Sequence, residues 1–437
     1  MSRSPFASLL ARAGRLAGLP GLAGAEFGLQ SAETCVWGLA DVQRGRPLLP
    51  EASFPIASLT KPFTAELVLQ LAAAQGIGLD TPLREHWPAF RHADPAATRD
   101  LSLRDALCHR SGLPPHLWAW VFSRESRQQF FSERFAHLAS VGPFRHEHRY
   151  SNLLYAALGE WLATLAGDSW ETLLRDRILH PLGLQQTASL TEDWTRELPA
   201  LALPHAAGNP PRPLPPFVAT RQHLIAPASE LASTLTDLCR WGQWLLQSPP
   251  DAPRWQAACP IRPGLDYGLG WRLQADFQGP NGRRVWHSGQ CTGYSGLLTL
   301  YPEAGHGRVL LCNADGVVDV LHAVDAAREN GQSLQLPQIT AAAKPPAPAW
   351  PDCPAGTLPE GDFAHKGYGA LSLFAREGSL WSRFQTSDAV KVLLAPDGTP
   401  CLQMPVYGRR FPLRAAQHTI ALPLEPLLPE IQFSSVL

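Results

Sequence analysis

Hydrophobic positions recur with a helical period in three stretches of the first half of the chain. Residues 4–17 place Phe6, Leu9, Leu10, Ala13 and Leu16 on one face, and Leu19-Pro20-Gly21 stops that helix. A strand or hairpin follows to about residue 48. From Ser58 onward, Leu59, Phe63, Leu67, Val68 and Leu71 line one face of the strongest predicted helix, which Gly76 ends. Pro62 fits there only if the helix has just begun, because proline has no N–H to donate. It also biases Lys61 away from helical dihedrals. The third stretch runs from Ser151 to Ala166, with Leu154, Leu158, Trp161, Leu162 and Leu165 inward.

Between about 80 and 250 the pattern is helical and broken by prolines, with a long loop at 200–217 and a helix near 228–247. Apolar alternation and turn residues then predict strands at 268–273, 283–287, 296–301 and 308–313, followed by a helix near 318–330. Strands flanked by sequence-distant helices imply an antiparallel sheet with a helical lobe inserted, an α+β fold. Residues 340–352 are Pro-rich and read as a semi-rigid linker. Beyond it, alternation at 370–374 and 390–394 predicts a small all-β domain, with turn cues at Glu377-Gly378 and Pro396-Asp397-Gly398. The expected organisation is one domain over 1–339, the linker, and the β domain over 353–437.

Composition narrows the function. A net charge of −1 gives no electrostatic reason to expect nucleic acid or an anionic membrane as partner. With 17% charged and 45% apolar residues the chain is globular. No segment approaches the run of about 18 apolar residues that a membrane span needs. Arg12 and Arg15 interrupt the apolar stretch of Met1–Glu26, so a signal peptide is not expected and the location reads as cytoplasmic, with periplasmic as the alternative. The eight cysteines show no C-x-x-C pair and no zinc-like spacing, and read as reduced. No cofactor and no metal are expected. His146-Glu147-His148, near His137, lacks the H-E-x-x-H spacing and reads as a polar loop. Trp118 and Trp120 are candidates for an apolar substrate wall, with plain packing favoured.

The basic residues hold the sharpest signal. Of 37, only Lys61, Lys344, Lys366 and Lys391 are lysines, so Lys61 stands alone in the first 343 residues. Ser58-Leu59-Thr60-Lys61 places a hydroxyl and an amine three residues apart at a helix start, where such side chains meet. Serine is a weak nucleophile until a base takes its proton. Lysine can be that base if burial or a nearby cation lowers its pKa from about 10.4 toward 7, a shift of about 4–5 kcal/mol. The positive end of the helix dipole works in the same direction. Arginine cannot serve, because its pKa lies too high. Two further motifs add polar groups. Tyr150-Ser151-Asn152 opens the third helix: a phenol can relay a proton, and an amide can orient a substrate carbonyl or the lysine. It reads equally as a helix entry with Ser151 as N-cap. His287-Ser288-Gly289 ends a strand, and the backbone N–H of Gln290 can join that of Ser58 as an oxyanion hole.

Ser-x-x-Lys, Tyr-x-Asn and His-x-Gly, in this order, resemble the motifs of the serine β-lactamase and penicillin-binding protein superfamily. The likeness is nearest to its class C-like branch of esterases, D-aminopeptidases and amidohydrolases. Family-like stretches include Phe54-Pro55-Ile56-Ala57-Ser58, His109-Arg110-Ser111-Gly112-Leu113-Pro114, Pro181-Leu182-Gly183-Leu184, Tyr267-Gly268-Leu269-Gly270-Trp271 and Gly293-Tyr294-Ser295-Gly296. Met1–Gly21 is similar to the family's first helix and entry turn, a segment that signal cleavage would remove. The resemblance implies a β-lactamase/transpeptidase-like sheet lobe and an all-helical lobe. It makes Ser58 the nucleophile and Lys61 its general base or relay. Tyr150 becomes the partner base and later the acid to the leaving group, with either Lys61 or Tyr150 taking the first proton. Asn152, His287, Gly289 and Gln290 become substrate-binding, His287 at an electrostatic position. The C-terminal β domain resembles the lipocalin-like domain appended to some relatives.

Where β-lactamases commonly have Lys-Thr-Gly, this chain has His-Ser-Gly, a weaker positive charge at pH 7. The expected activity is therefore that of a serine hydrolase forming an acyl-enzyme on a small ester, amide or D-residue peptide. β-Lactamase or DD-peptidase activity is the alternative. A non-catalytic peptidoglycan-binding or scaffold protein is the alternative of another class.

Overall fold

The segment Tyr294–Tyr301 is buried at all eight positions, as befits a strand at the centre of a sheet covered on both faces. The computed structural model describes residues 4–190, 200–215, 223–275, 281–337, 350–404, 409–416 and 418–436. They form two compact units: Met1–Thr81 with Ser102–Cys108 and Leu154–Lys344, and Pro82–Leu101 with His109–Leu153 and Pro345–Leu437.

The first unit holds a nine-stranded antiparallel sheet. Its strands are β1 (Gly21–Gly28), β2 (Ala32–Asp41), β3 (Arg46–Pro47), β4 (Cys259–Arg262), β5 (Leu265–Tyr267), β6 (Arg272–Gln274), β7 (Arg284–Cys291), β8 (Tyr294–Tyr301) and β9 (His306–Cys312). Their order across the sheet is β3-β2-β1-β9-β8-β7-β6-β5-β4. Helices α1 (Pro5–Leu16) and α5 (Val318–Asn330) cover one face, where Phe6, Leu10, Leu22, Leu310, Leu321 and Val324 share a core. Helix α4 (Leu235–Leu246) packs on β1 and β9. A Cβ on Gly242 of α4 would stand 2.3 Å from the ring of Phe27, so only glycine lets helix and sheet approach this closely. Leu16, expected inward, is 64% exposed at the last residue of α1.

The helix expected from Ser58 divides in two. A 3₁₀ turn spans Ala57–Thr60 and α2 runs over Lys61–Ala74. Lys61 takes helical dihedrals (φ −58, ψ −43) despite preceding Pro62. Nor is α2 amphipathic: Thr64, Ala65 and Glu66 are buried along with its apolar face, so it is a core helix. The helix expected near 228–247 is likewise interrupted. A helical turn at Ala226–Ser229 is followed by a strand, Leu231–Ser233, that pairs with Phe54–Pro55, and α4 starts only after Thr234 caps the N–H of Asp237. Of the strand expected at 268–273, residues 268–271 are the turn between β5 and β6, with Gly270 at φ 88, and only 272–273 belong to β6. The helix near 318–330 is α5.

In the second unit, helical pieces of 82–101 and 109–153 gather Trp87, Phe90, Phe131 and Phe135 in edge-on and tilted contacts. The C-terminal residues form antiparallel strands in a seven-stranded and a three-stranded sheet. Val390–Lys391 of the first continues into Leu393–Leu394 of the second, and Arg410–Pro412 continues into Arg414–Ala416. Pairing of Gly361–His365 with Ile431–Ser435 completes the circuit, giving a cycle of eight strand positions with no free edge among the described residues. Leu371, Leu380, Phe384, Leu402, Ile420 and Phe433 fill its interior. The expected linker falls largely on 338–349, outside the described residues. Of the rest, the Pro351 carbonyl accepts the N–H of Leu394. Trp118 and Trp120 are buried, Trp118 against Phe122 and Phe411.

Candidate active site

Every residue from Ala52 to Pro62 is buried except Ser58, which is half-buried. Backbone geometry brings it to the surface. The Ile56 N–H donates to the Leu231 carbonyl at 2.8 Å, pinning the end of the short strand. Ala57 then turns into the left-handed region at φ 48, a conformation that costs a non-glycine residue about 1 kcal/mol. Thr60 Oγ1 donates to the Ala57 carbonyl at 2.7 Å and accepts the N–H of Leu231 at 3.2 Å. One helical turn on, Thr64 Oγ1 donates to the Pro227 carbonyl at 2.6 Å and accepts Trp170 Nε1–H at 3.0 Å. The serine turn is thus held from several sides, as strained functional backbone requires.

Lys61 Nζ stands 3.0 Å from Ser58 Oγ and donates to the Ala228 carbonyl at 2.8 Å. The ring of Tyr155 lies 5.5 Å from the amine. Lys61 is wholly buried. Burial holds its pKa well below the usual lysine range, and the nearby Arg272 guanidinium pushes in the same direction.

Strand β7 brings the third motif alongside. His287 and Gly289 share its site-facing side. A Cβ on Gly289 would lie 2.1 Å from the Ile56 carbonyl oxygen and 3.3 Å from the Ser58 nitrogen, so the serine turn rests on bare backbone. Pairing with β6 covers only Arg284–Trp286, while pairing with β8 runs on to Cys291. Beyond Trp286, no strand among the described residues takes the outer edge of β7. Gln290, on that edge, is exposed.

His287 is wholly buried; its Nδ1–H donates to the Ser288 carbonyl at 2.7 Å and its Nε2 accepts the Tyr267 hydroxyl at 3.0 Å. Burial, then the charges of Arg272 and Lys61, keeps its pKa well below the histidine range. The positive charge expected of His287 is therefore not carried by it at neutral pH. Arg272, whose guanidinium lies 5.0 Å from the Trp286 ring and 5.8 Å from that of Tyr267, is the cation of this region.

Tyr150 and Asn152 belong to the second unit. Tyr150 is half-buried and packs on His109 with ring centroids 4.4 Å apart, and Asn152 is the first residue of α3 (Asn152–Ala166). Residues 143–150 contain no strand, so His146 and His148 do not share a strand face. No group of three or more His, Cys, Asp or Glu among the described residues is arranged to hold a metal.

Three participants escape sequence reasoning. Arg272 directly follows the noted stretch Tyr267–Trp271, and that adjacency was the available signal. Tyr267 lies in that stretch, but its pairing with His287 depends on the sheet. The Ala228 carbonyl leaves no trace in sequence at all.

A sheet of this order with a serine–lysine pair on a helix start defines a β-lactamase/transpeptidase fold. The Beta-lactamase family model matches residues 16–331, and the chain belongs to that family. It is 27% identical over 324 residues to penicillin-binding protein 4 of Amycolatopsis lactamdurans, covering 70% of this chain and 84% of that protein. Among solved structures it is similar to the octameric penicillin-binding protein homologue from Pyrococcus abyssi, with TM-score 0.64, 18% identity, and 99% and 100% of the two chains covered. It is also similar to a D-stereospecific amidohydrolase from a Streptomyces species, with TM-score 0.61, 22% identity, and 75% and 99% covered. Those structures speak for the fold alone. Members of the family are generally serine hydrolases, and no helix among the described residues is long and apolar enough to cross a membrane.

Proposed function

We propose that the protein is a serine hydrolase acting through an acyl-enzyme on small esters or amides, D-residue amides included. The observation that carries this reading is a buried amine, driven toward its neutral form, 3.0 Å from the one half-exposed hydroxyl of the turn. A neutral Lys61 has a lone pair able to take the Ser58 proton as Oγ attacks the substrate carbonyl carbon, with Tyr150 as relay or alternative base. The developing oxyanion accepts from the N–H groups of Ser58 and Gln290. Collapse breaks the acyl–O or acyl–N bond, and Tyr150 returns the proton to the leaving group. Water then hydrolyses the Ser58 ester by the same steps in reverse, while Asn152 orients the acyl chain.

The neutral His287 favours esters and amides over antibiotics, because it offers no ammonium for their carboxylate. The scaffold alternative fits poorly with a serine and lysine kept in contact. All eight cysteines are thiols, which supports the cytoplasmic reading over the periplasmic one. A fluorophosphonate probe tests the activity: wild type should be labelled and Ser58→Ala should not, with turnover reduced by at least about 10⁴-fold. A folded wild type that resists labelling would overturn the reading. Across a p-nitrophenyl ester, a D-alanyl anilide and nitrocefin, turnover of nitrocefin at least as fast as the other two would restore the β-lactamase alternative.

A further inference from the structure

His109 opens the His109–Pro114 stretch, and the mechanism above leaves it without a part. It is wholly buried and touches four successive residues of the segment bearing the second motif, all within the second unit. Its ring stands edge-on to His148, with centroids 5.5 Å apart at 82°. Its carbonyl accepts the N–H of Arg149 at 2.8 Å. Its ring lies over Tyr150 at 4.4 Å and 37°. Its Nδ1 accepts the N–H of Ser151 at 3.1 Å.

Two features make this more than ordinary packing. His109 has φ 59, a left-handed conformation that costs a residue with a side chain about 1 kcal/mol. Ser151 precedes the first residue of α3, where a backbone N–H has no acceptor within the helix. The expected N-cap function of the Ser151 hydroxyl is not seen: Ser151 Oγ is buried and makes no hydrogen bond among the described residues. What the imidazole satisfies is the N–H of Ser151 itself. Because Nδ1 accepts, a neutral ring must carry its hydrogen on Nε2. One side chain thus holds Tyr150 by its ring and by the peptide that follows it.

We propose that His109 is a positioning residue for Tyr150, fixing the phenol in one orientation for proton transfer. This rests on the reading of Tyr150 as partner base and acid. The test is a double-mutant cycle on the full chain, with a p-nitrophenyl ester as substrate and thermal melts as a check on folding. His109→Ala should lower kcat by about 10–100-fold with KM changed less than about threefold, the size expected for a displaced catalytic group. His109→Asn, which tolerates positive φ and offers an oxygen to the Ser151 N–H, should recover about tenfold of that loss. In a Tyr150→Phe background, His109→Ala should change kcat less than about twofold.

If Tyr150→Phe is damaging and His109→Ala costs the same factor in both backgrounds, His109 is merely structural and the proposal is overturned. A Tyr150→Phe variant with near-normal kcat would instead remove the reading of Tyr150, and the proposal with it. Should His109→Ala fail to fold, the same cycle with His109→Phe and His109→Asn decides. His109→Phe keeps the ring face without the acceptor, and a loss in either that persists after Tyr150→Phe counts against the proposal.

Discussion

Two buried charge clusters lie along strand β7, and burial alone would treat them alike. In one, Lys61 and His287 lie beside Arg272. In the other, Arg284 donates to Asp325 at 2.7 and 3.0 Å, and Arg308 reaches Asp325, Glu329 and Glu26 at 2.5, 2.6 and 2.8 Å. Arg328 completes that second cluster on Glu26 at 2.9 Å. Burial works to raise the carboxyl pKa of Asp325, but the charges of Arg284 and Arg308 overcome it and the group stays ionised. Glu329, with Arg308, His306 and Asn281 on it, is held at about 2 against the same burial. For Lys61, burial and Arg272 act together, and the amine is driven toward neutrality. Ion pairs make one cluster inert, while burial and then a like charge keep the amine of the other in its neutral, proton-accepting form.

The sharpest way to break this contrast is Lys61→Arg. It puts a guanidinium, which does not lose a proton near neutral pH, where the amine is driven toward its neutral form. Activity at pH 7 should fall at least about 10³-fold, measured as kcat/KM on the preferred ester. Near-normal turnover would show that the solitary lysine is coincidence. Asp325→Asn addresses the second cluster. It takes the carboxylate from Arg284 and one of three from Arg308, and should destabilise the fold by about 3 kcal/mol in urea titration, with kcat of the folded protein within about twofold. A large kcat effect without loss of stability would mean that the clusters are coupled.

A smaller effect is expected of Arg272→Gln. Removing a cation makes protonation of Lys61 easier, so its pKa rises and the acid limb of the kcat/KM profile moves to higher pH. The move should be about 1 pH unit, near tenfold in rate below the limb. A limb that stays still or moves down would remove Arg272 from the electrostatics of Lys61.

Part of this was legible in sequence because chemistry restricts residue type and spacing. Ser58 and Lys61 are three residues apart on a helix start, and the scarcity of lysine made the pair conspicuous. The helical face around Phe63 and Leu67 was legible too, but burial of its polar side was not. Thr64 is satisfied by the Pro227 carbonyl, and Glu66 by Gln70 and Arg254, partners visible only after folding. The strand Leu231–Ser233 is too short to show alternation and exists because Phe54–Pro55 pairs with it. The neutrality of His287 depends on enclosure and on the charge of Arg272, and its bond to Tyr267, twenty residues away, exists only once the sheet has formed. His109 was noticed only for the company it keeps in the stretch to Pro114, since nothing local tells that its ring meets Tyr150. Alternation in the C-terminal part signals strands, but the closing pair between Gly361–His365 and Ile431–Ser435 is a long-range choice that periodicity does not encode.

Glu425 lies between the two extremes and gives the smallest effect. Burial raises its pKa to about 7, opposed by the N–H groups of Leu117 and His116 and the charge of Arg409. Those N–H groups begin the short helix that carries Trp118, so the carboxyl ties the strand cycle to the 109–153 segment within the second unit. The sign follows from the raised value. Between pH 4.5, its ordinary value, and about 7, the folded chain keeps a proton that the unfolded chain releases, so stability contributed by Glu425 is full at acid pH and is lost as pH rises through 7. Glu425→Gln keeps an oxygen for the two N–H groups and cannot ionise. Its melting temperature should therefore decline less from pH 5 to 8, leaving it more stable than wild type at pH 8 by about 1 kcal/mol, an allowance made for relaxation around the charge. Parallel melting curves for the two proteins across that range would show that the amide N–H groups compensate Glu425 as fully as the guanidiniums compensate Asp325.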